Sequence, residues 1–403
     1  MSNSNKINMV PLLILMLNLF IALLGQGMVI PILPDYLKQF NAAGTAAGYL
    51  VAAFGAAQFI FSPIGGRLSD KHGRRIMILL GLFLTVISDF IFAISHELML
   101  LYIARVIGGI GVGIMIPSNL AYVADITTKE TRAKGMGYLS AAMNLGMVLG
   151  PGLGGIIAQF GIRMPYFFAA GLGFIATLLT FILPETLPLE KRSIAKSSEK
   201  QESIVKQLIQ SVHKPYFHHL LLILVMTFGL VSFETVYSLF VEYKYGFTSK
   251  DVSILITIGA AIGIIVQIWL IDKAIKRFGE YNLIKLSLLI TAIALLLMLI
   301  KVNFIYLIAV SAVFFAFNSF LRPTVTTLLS NEAGSNEQGF VSGLNTTYTS
   351  MGNIVGPIMA GCLFDKQINL PYIMSALILF GTIFLANAPK PKNICSNEVV
   401  ENE

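Results

Sequence analysis

The chain has 403 residues, of which 56% are hydrophobic and 12% charged, with a formal net charge of +7 and a mean hydropathy of +0.77. A soluble domain carries about 25% charged residues, so these figures exclude a water-soluble enzyme or binding module. They point to a membrane protein in which ~20 mostly apolar residues make each helical crossing.

Six apolar stretches come first, at 10–33, 47–66, 75–95, 98–121, 135–158 and 164–183. The first is too long for a removed signal peptide and lacks a small-residue cleavage site. It carries Gly25, Pro31 and Pro34, with Asp35 at its end. The loop after the second reads Gly66-Arg67-Leu68-Ser69-Asp70-Lys71-His72-Gly73-Arg74-Arg75. Its glycines permit a tight turn, and its arginines can pair with carboxylates or lipid phosphates. Span three contains Asp89, and span four contains Leu101-x-x-x-Arg105-x-x-x-Gly109. A charge at a helix centre costs about 2.5–3.5 kcal/mol on insertion scales, so each is a functional candidate. Asp89 and Arg105 are equidistant from position 97, the turn between their spans, so they are expected at similar depth as a candidate pair. Span five holds Gly146-x-x-x-Gly150-Pro151-x-x-Gly154-Gly155. Small residues at every fourth position let helices approach closely, and Pro151 bends the helix. Gly150-x-Gly152-x-x-Gly155 also fits the dinucleotide fingerprint, but that pattern needs a preceding strand, so inside an apolar helix it is rejected.

Residues 184–218, opened by Pro184 and Pro188, are rich in Lys, Glu, Ser and Gln and read as a linker, with a short amphipathic helix near Ile204–Val212. Six further stretches follow at 219–241, 251–271, 281–300, 303–326, 339–361 and 370–388, and then a polar tail. Span seven contains Glu234 with no partner nearby in sequence; its helical face (Thr227, Leu230, Tyr237, Ser238, Val241) is partly polar, which suits a wet cavity. A carboxyl in that setting can load and release a proton. Span ten contains Arg322-Pro323.

The second set repeats the first at an offset of 206 residues: Gly146, Gly150, Pro151 and Gly155 recur as Gly352, Gly356, Pro357 and Gly361. Pro117 falls on Pro323, Gly137 on Gly343, and Pro165-Tyr166 on Pro371-Tyr372. Two related halves around a central site are how many secondary transporters are built. The segments are too long and apolar for barrel strands, and backbone groups in lipid must be satisfied within each helix. The expected fold is therefore all-α with twelve transmembrane helices in two six-helix bundles, 1–183 and 219–388, joined by the 184–218 linker and followed by a 389–403 tail.

Lys and Arg gather on alternate loops, at Arg67/Lys71/Arg74/Arg75, Lys129/Arg132/Lys134, the linker and Lys273/Lys276/Arg277/Lys285. The positive-inside rule then places both termini in the cytoplasm. The basic charge is topological, and no nucleic-acid partner is expected. Cys362 falls on the outer side and Cys395 in the tail, so a bilayer core of ~30 Å keeps them from forming a disulfide.

Taken in order, these motifs resemble the major facilitator superfamily. The 66–75 loop is similar to its Gly-x-Leu-x-Asp-x-x-Gly-Arg-Arg/Lys signature, and Asp272-Lys273-x-x-Lys276-Arg277-Phe278-Gly279 is a degenerate second copy. The Gly25/Pro31/Pro34 run resembles a drug-exporter signature. The Arg105 segment resembles a motif attributed to proton coupling, and the span-five segment an antiporter motif. Ser232-Phe233-Glu234-Thr235, Gln338-Gly339-Phe340 and Ser350-Met351-Gly352-Asn353-x-x-Gly356-Pro357 resemble the twelve-span bacterial multidrug exporters of that superfamily. The resemblance implies gating roles for Gly66, Asp70, Gly73, Arg74, Arg75, Gly146, Gly150, Pro151, Gly154, Gly155, Gly352, Gly356 and Pro357. It implies proton coupling by Glu234, with Asp89 and Arg105 in support. Those exporters carry an aspartate three residues before the Arg-Pro pair, where this chain has Ser319, so proton stoichiometry stays open and Asp35 is a candidate substitute. Gln58, Tyr138, Phe233, Tyr237, Phe315, Ser319, Asn345 and Tyr348 offer aromatic faces with sparse polar atoms, the lining expected for bulky amphipathic compounds. Core packing is the plainer account of any one of them.

The function this implies is proton-driven efflux of lipophilic, fluoroquinolone- and dye-like compounds by alternating access in a bacterial cell membrane. The expected partners are amphipathic small molecules, protons and lipids, and the expected state is a monomer. No cofactor or metal is expected, since no Walker A, HExxH or Cys/His cluster occurs. Export of one physiological solute, such as a sugar or lipid precursor, and proton-coupled uptake remain rivals; the antiporter motif weighs against uptake. A membrane enzyme is disfavoured because the polar residues form no nucleophile–base set.

Overall fold

A computed structural model describes residues 9–188, 204–332 and 338–386, which are helical with short turns and contain no strand. That follows from the solvent: in hydrocarbon each N–H and C=O must be satisfied inside its own segment. The spans are α1 (Met9–Lys38), α2 (Gly44–His72), α3 (Arg74–Ile94), α4 (Leu98–Ile126), α5 (Lys129–Ile157) and α6 (Met164–Thr180). The second half supplies α7 (Phe217–Tyr245), α8 (Ser249–Phe278), α9 (Glu280–Leu297), α10 (Phe304–Glu332), α11 (Gln338–Lys366) and α12 (Leu370–Leu385). Among the described residues nine of them are long and apolar enough to cross a membrane, α6 and α12 are shorter apolar helices, and α11 falls in neither group. The chain is a multi-pass membrane protein. Several helices outrun their apolar stretches. The basic motif, for example, continues α2 until Gly73, whose φ of 110° breaks the helix at a conformation that suits glycine. The polar tail falls outside the described residues, and so does Cys395; Cys362 is a free thiol.

Within the first half, α1 packs on α5 and α6, α2 on α4, and α3 on α4 and α6. Each pairing has its mate in the second half: α7 on α11 and α12, α8 on α10, and α9 on α10 and α12. Small residues explain how helices come so close without a hydrophobic drive between them. A Cβ added at Gly150 would lie 2.7 Å from the Leu24 carbonyl oxygen, and one at Gly146 or Gly154 would also strike the α1 backbone. In the second half Gly352 and Gly356 receive the α7 backbone at Phe228 in the same way, and Ser232 Oγ donates to the Gly356 carbonyl at 3.1 Å. The rejected dinucleotide fingerprint is therefore packing surface. Between the halves, the linker helix Ile204–Ser211 is tied to α11 by a 2.8 Å bond between Ser211 Oγ and Tyr348 Oη.

Candidate functional site

Inside the first bundle, Asp89 and Arg105 line one small cavity of about 20 Å³ with Gln26, Phe54 and Ser88, room for about one water. Each acts electrostatically on the other, yet they form no direct ion pair. Gly25 lets α1 approach α6, since a Cβ there would lie 3.2 Å from Ala169 Cβ, with Asp89 Oδ2 in ordinary contact at 3.5 Å. The Arg105 guanidinium lies 5.0 Å from the Phe92 ring centre and 6.0 Å from that of Phe54. Behind it Phe92 stacks on Tyr166 at 4.4 Å, and Tyr36 donates to the Phe92 carbonyl at 2.5 Å. Ring faces stabilise a cation where water is scarce, and Nε of Arg105 is buried without a hydrogen-bond partner. Sequence reasoning identified the two charges but not this aromatic cushion, whose members look like ordinary core. Asp89→Asn and Arg105→Ala should each impair transport. The double change should fall short of their sum by ~1 kcal/mol or more if the charges sense each other across the cavity. A double-mutant cycle on transport and thermal stability measures this, and additive losses would show independence.

In the second bundle, α7 is the most enclosed of the long helices. Along 229–241 every residue is buried except Val231, which is half-buried, and Glu234, which is exposed. Glu234 is thus the one exposed position on the 229–241 stretch. Arg322 of α10, also exposed, is the charge that acts on it. The two form no direct ion pair.

The expected lining residues separate into two groups. Gln58, Tyr138 and Asn345 are half-buried, with the Lys134 ammonium 5.9 Å from the Tyr138 ring centre. Phe233 and Tyr237, by contrast, are closed inside the core. Phe233 packs at 4.2 Å on Phe314 and at 5.4 Å on Tyr372, while the Tyr237 hydroxyl meets Ser311 Oγ at 2.8 Å. Tyr348 is likewise buried, spent on its bond to the linker helix. Phe315 and Ser319 press into the notches left by Gly259 and Gly263 of α8, where an added Cβ would collide with them. Phe233, Tyr237 and Tyr348 are thus buried, whereas Phe315 and Ser319 stay half-buried where they pack on α8.

At the basic end, Arg74 pairs with Asp70 and, through Nε at 3.2 Å, with Asp125 at the end of α4. Its backbone N–H donates to Glu185 at 2.9 Å, and that of Arg75 to the same carboxylate at 3.2 Å, so Glu185 caps α3. Arg75 also donates to the Phe181 carbonyl at 2.6 Å. Gly66 faces Pro117 with space to spare. Asp125 and Glu185 were not foreseen because they lie far along the chain from the motif they complete.

At the opposite end the two halves are sealed along α2·α11 and α5·α8. Gly44 and Gly48 rest on the backbone of Gly361 and Pro357, and Gly155 and Gly152 receive Ser253 and Thr257. Polar bonds cross the same seam. Asp365 accepts from the N–H groups of Gly44 at 2.8 Å and Thr45 at 2.9 Å, capping α2 from the other bundle. Lys38 pairs with Glu242, and Ser249 donates to Asp35, so Asp35 belongs to this seam. A carboxylate at a helix N-terminus contributes ~0.3–1 kcal/mol. Asp365→Asn should therefore open the seam a few-fold more often, measurable as a broadened label distance between α2 and α11. An unchanged distribution would show that the carboxylate does not hold it.

The comparisons agree with this architecture. The family model described as Major Facilitator Superfamily matches residues 15–357 and 270–394. "Multidrug resistance protein 2" of Bacillus subtilis (strain 168) is 42% identical over 381 residues, covering 94% of this chain and 95% of that protein. "Quinolone resistance protein NorA" of Staphylococcus aureus (strain MRSA252) is 41% identical over 375 residues, covering 92% and 95%. Among solved structures, the nucleoside transporter NupG superposes with a TM-score of 0.72 at 15% identity, over 93% of this chain and 97% of that one. The shared fold, the repeat and the family match lead to one assignment: the chain belongs to the major facilitator superfamily.

Proposed function

We propose that the protein exports lipophilic, fluoroquinolone- and dye-like compounds from a bacterial cell in exchange for protons, by alternating access. The observation that carries this reading is Glu234, a carboxylate exposed on an otherwise enclosed stretch of α7 in a protein whose two bundles are sealed at one end, and the space it faces is read as the transport cavity. The Lys/Arg asymmetry makes the basic end cytoplasmic, with both termini on that side. The sealed seam is then the outer gate, and the cavity faces the cytoplasm, where substrate is collected. The 1–183 and 219–388 bundles rock against each other about the seams while the 184–218 linker keeps them joined. Relatives named for multidrug and quinolone resistance, 41–42% identical to this chain, support the substrate class.

The energetics are adequate. A proton moving inward down 100 mV releases about 2.3 kcal/mol, and a tenfold gradient of a neutral compound costs about 1.4 kcal/mol. One proton therefore suffices for a neutral drug. Exchange of one proton for one monocation is electroneutral and gains nothing from the potential, so the Ser319 departure matters most for cationic substrates. Glu234 binds the proton, Arg322 opposes the charge left when it departs, and Gln58, Tyr138 and Asn345 contribute to the lining. No covalent step is required, and a monomer contains every residue named.

The test is uptake of ethidium or norfloxacin into proteoliposomes carrying purified protein, with an acidic interior imposed. Accumulation that collapses with the proton gradient is the expected result. Accumulation indifferent to the gradient would overturn the coupling, and none of either compound would favour the narrower reading of a single physiological solute.

A further inference from the structure

The basic end of the second bundle holds a cluster that transport does not use. His218 and His219 begin α7, and Glu332 ends α10. One ligand atom from each residue lies within 4.8 Å of the others. His219 Nδ1 is 2.8 Å from Glu332 Oε2, yet neither atom is in hydrogen-bonding geometry with any partner. Nε2 of His218 and Nε2 of His219 are also buried without one. The His219 side chain is 1% exposed and that of Glu332 13%. The two imidazoles, adjacent in sequence, have ring centres only 3.9 Å apart. Tyr281 of α9 donates to the other Glu332 oxygen at 3.4 Å.

Buried polar atoms normally find partners. Turning His219 to donate from Nδ1 to Glu332 satisfies two of these atoms and leaves both Nε2 atoms orphaned. A cation accepting a lone pair from one atom of each side chain satisfies three of the four and leaves only the second ring nitrogen of His219 without a partner. We propose that His218, His219 and Glu332 form a binding site for a divalent transition-metal cation of the Zn²⁺ class, bracing α7 against α10. Two imidazole nitrogens and a carboxylate oxygen are borderline donors that suit Zn²⁺, whereas Mg²⁺ and Ca²⁺ prefer all-oxygen sets. Tyr281 plays the usual supporting part, fixing the orientation of a ligating carboxylate. Such a site joins the two helices that carry Glu234 and Arg322 and stabilises the bundle without taking part in exchange. Sequence patterns cannot reveal it, because one ligand comes from the far end of another span.

The experiment uses full-length protein in detergent, purified through a tag without histidines, with Cys362 and Cys395 replaced by Ser and treated with a chelator. Zn²⁺ is titrated against a chromophoric chelator, and Co²⁺ is followed by its visible absorption. One equivalent of Zn²⁺ should bind, raise the melting temperature, and resist millimolar Mg²⁺. His219→Ala and Glu332→Gln should each weaken binding at least ~10-fold, while His213→Ala, at an exposed site, should not. His218→Gln, at a half-buried position, gives a second reading if His219→Ala fails to fold. No stoichiometric site, or a Co²⁺ spectrum identical in wild type, His218→Gln and Glu332→Gln, would overturn the assignment. Displacement of Zn²⁺ by Mg²⁺ would equally refute the nitrogen ligands.

Discussion

Glu234→Gln is expected to reduce proton-driven efflux to the level of empty liposomes, a loss of ~100-fold or about 2.7 kcal/mol of coupling. Glutamine keeps the shape and most hydrogen bonding of the side chain but cannot carry a proton through the cycle. Because Glu234 is exposed while its neighbours on α7 are buried, the change disturbs no packing, and the melting temperature should hold within a few degrees. Binding of a neutral substrate should survive. Arg322 then faces no opposing charge from α7, so cationic substrates should bind more weakly than neutral ones. Transport measured under an imposed proton gradient, beside equilibrium binding on the same preparation, separates these effects. Gradient-driven accumulation by a folded Glu234→Gln protein would move the coupling role elsewhere, with Asp89 the next candidate.

A side chain at Gly48 or Gly361 should be nearly as damaging, for a steric reason. At either position the added Cβ would collide with backbone from the facing helix: Pro357 for Gly48, and Gly44 and Thr45 for Gly361. Backbone cannot swing aside as a flexible side chain can, so the seam must part. Gly48→Val and Gly361→Val should each fold, because α2 and α11 also pack within their own bundles, on α4 and α7. They should rest with the outer gate open and transport ~10-fold or more slowly. Thiols introduced by Lys38→Cys and Glu242→Cys, in a background lacking Cys362 and Cys395, report the gate directly. They should cross-link readily in the parent and poorly in the valine variants. Equal cross-linking would show that the seam tolerates the side chain.

Much of this was legible in the sequence. The length and apolarity of each stretch gave the helices, and the 206-residue offset anticipated the pairing of the halves. The charged residues within spans stood out because hydrocarbon makes them costly. What could not be read was direction. A soluble helix separates core from water by polarity, but α7 carries apolar and aromatic residues on every side and buries polar ones, Ser232, Thr235 and Ser238, in the core. Periodicity therefore placed Tyr237 and Ser238 beside Glu234, whereas packing buries both and exposes Glu234. Phe315 and Ser319 were drawn into α8 by glycines on another helix. Asp365 reaches the start of α2 from some 320 residues away, and no local pattern announces such a cap.

The seam also bears on ancestry. Gly155 and Gly361 are mates at the repeat offset, and so are the segments that receive them, around Ser253 on α8 and Ala47 on α2. The α5·α8 and α11·α2 contacts are thus one interface made twice. A single half bearing both the glycine notch and the receiving helix is complementary to its own copy, which is the requirement for a two-fold symmetric dimer. Joining two such halves in one chain requires no new surface. It also allows the halves to differ, and the mate of Glu234 in α1 is Met28.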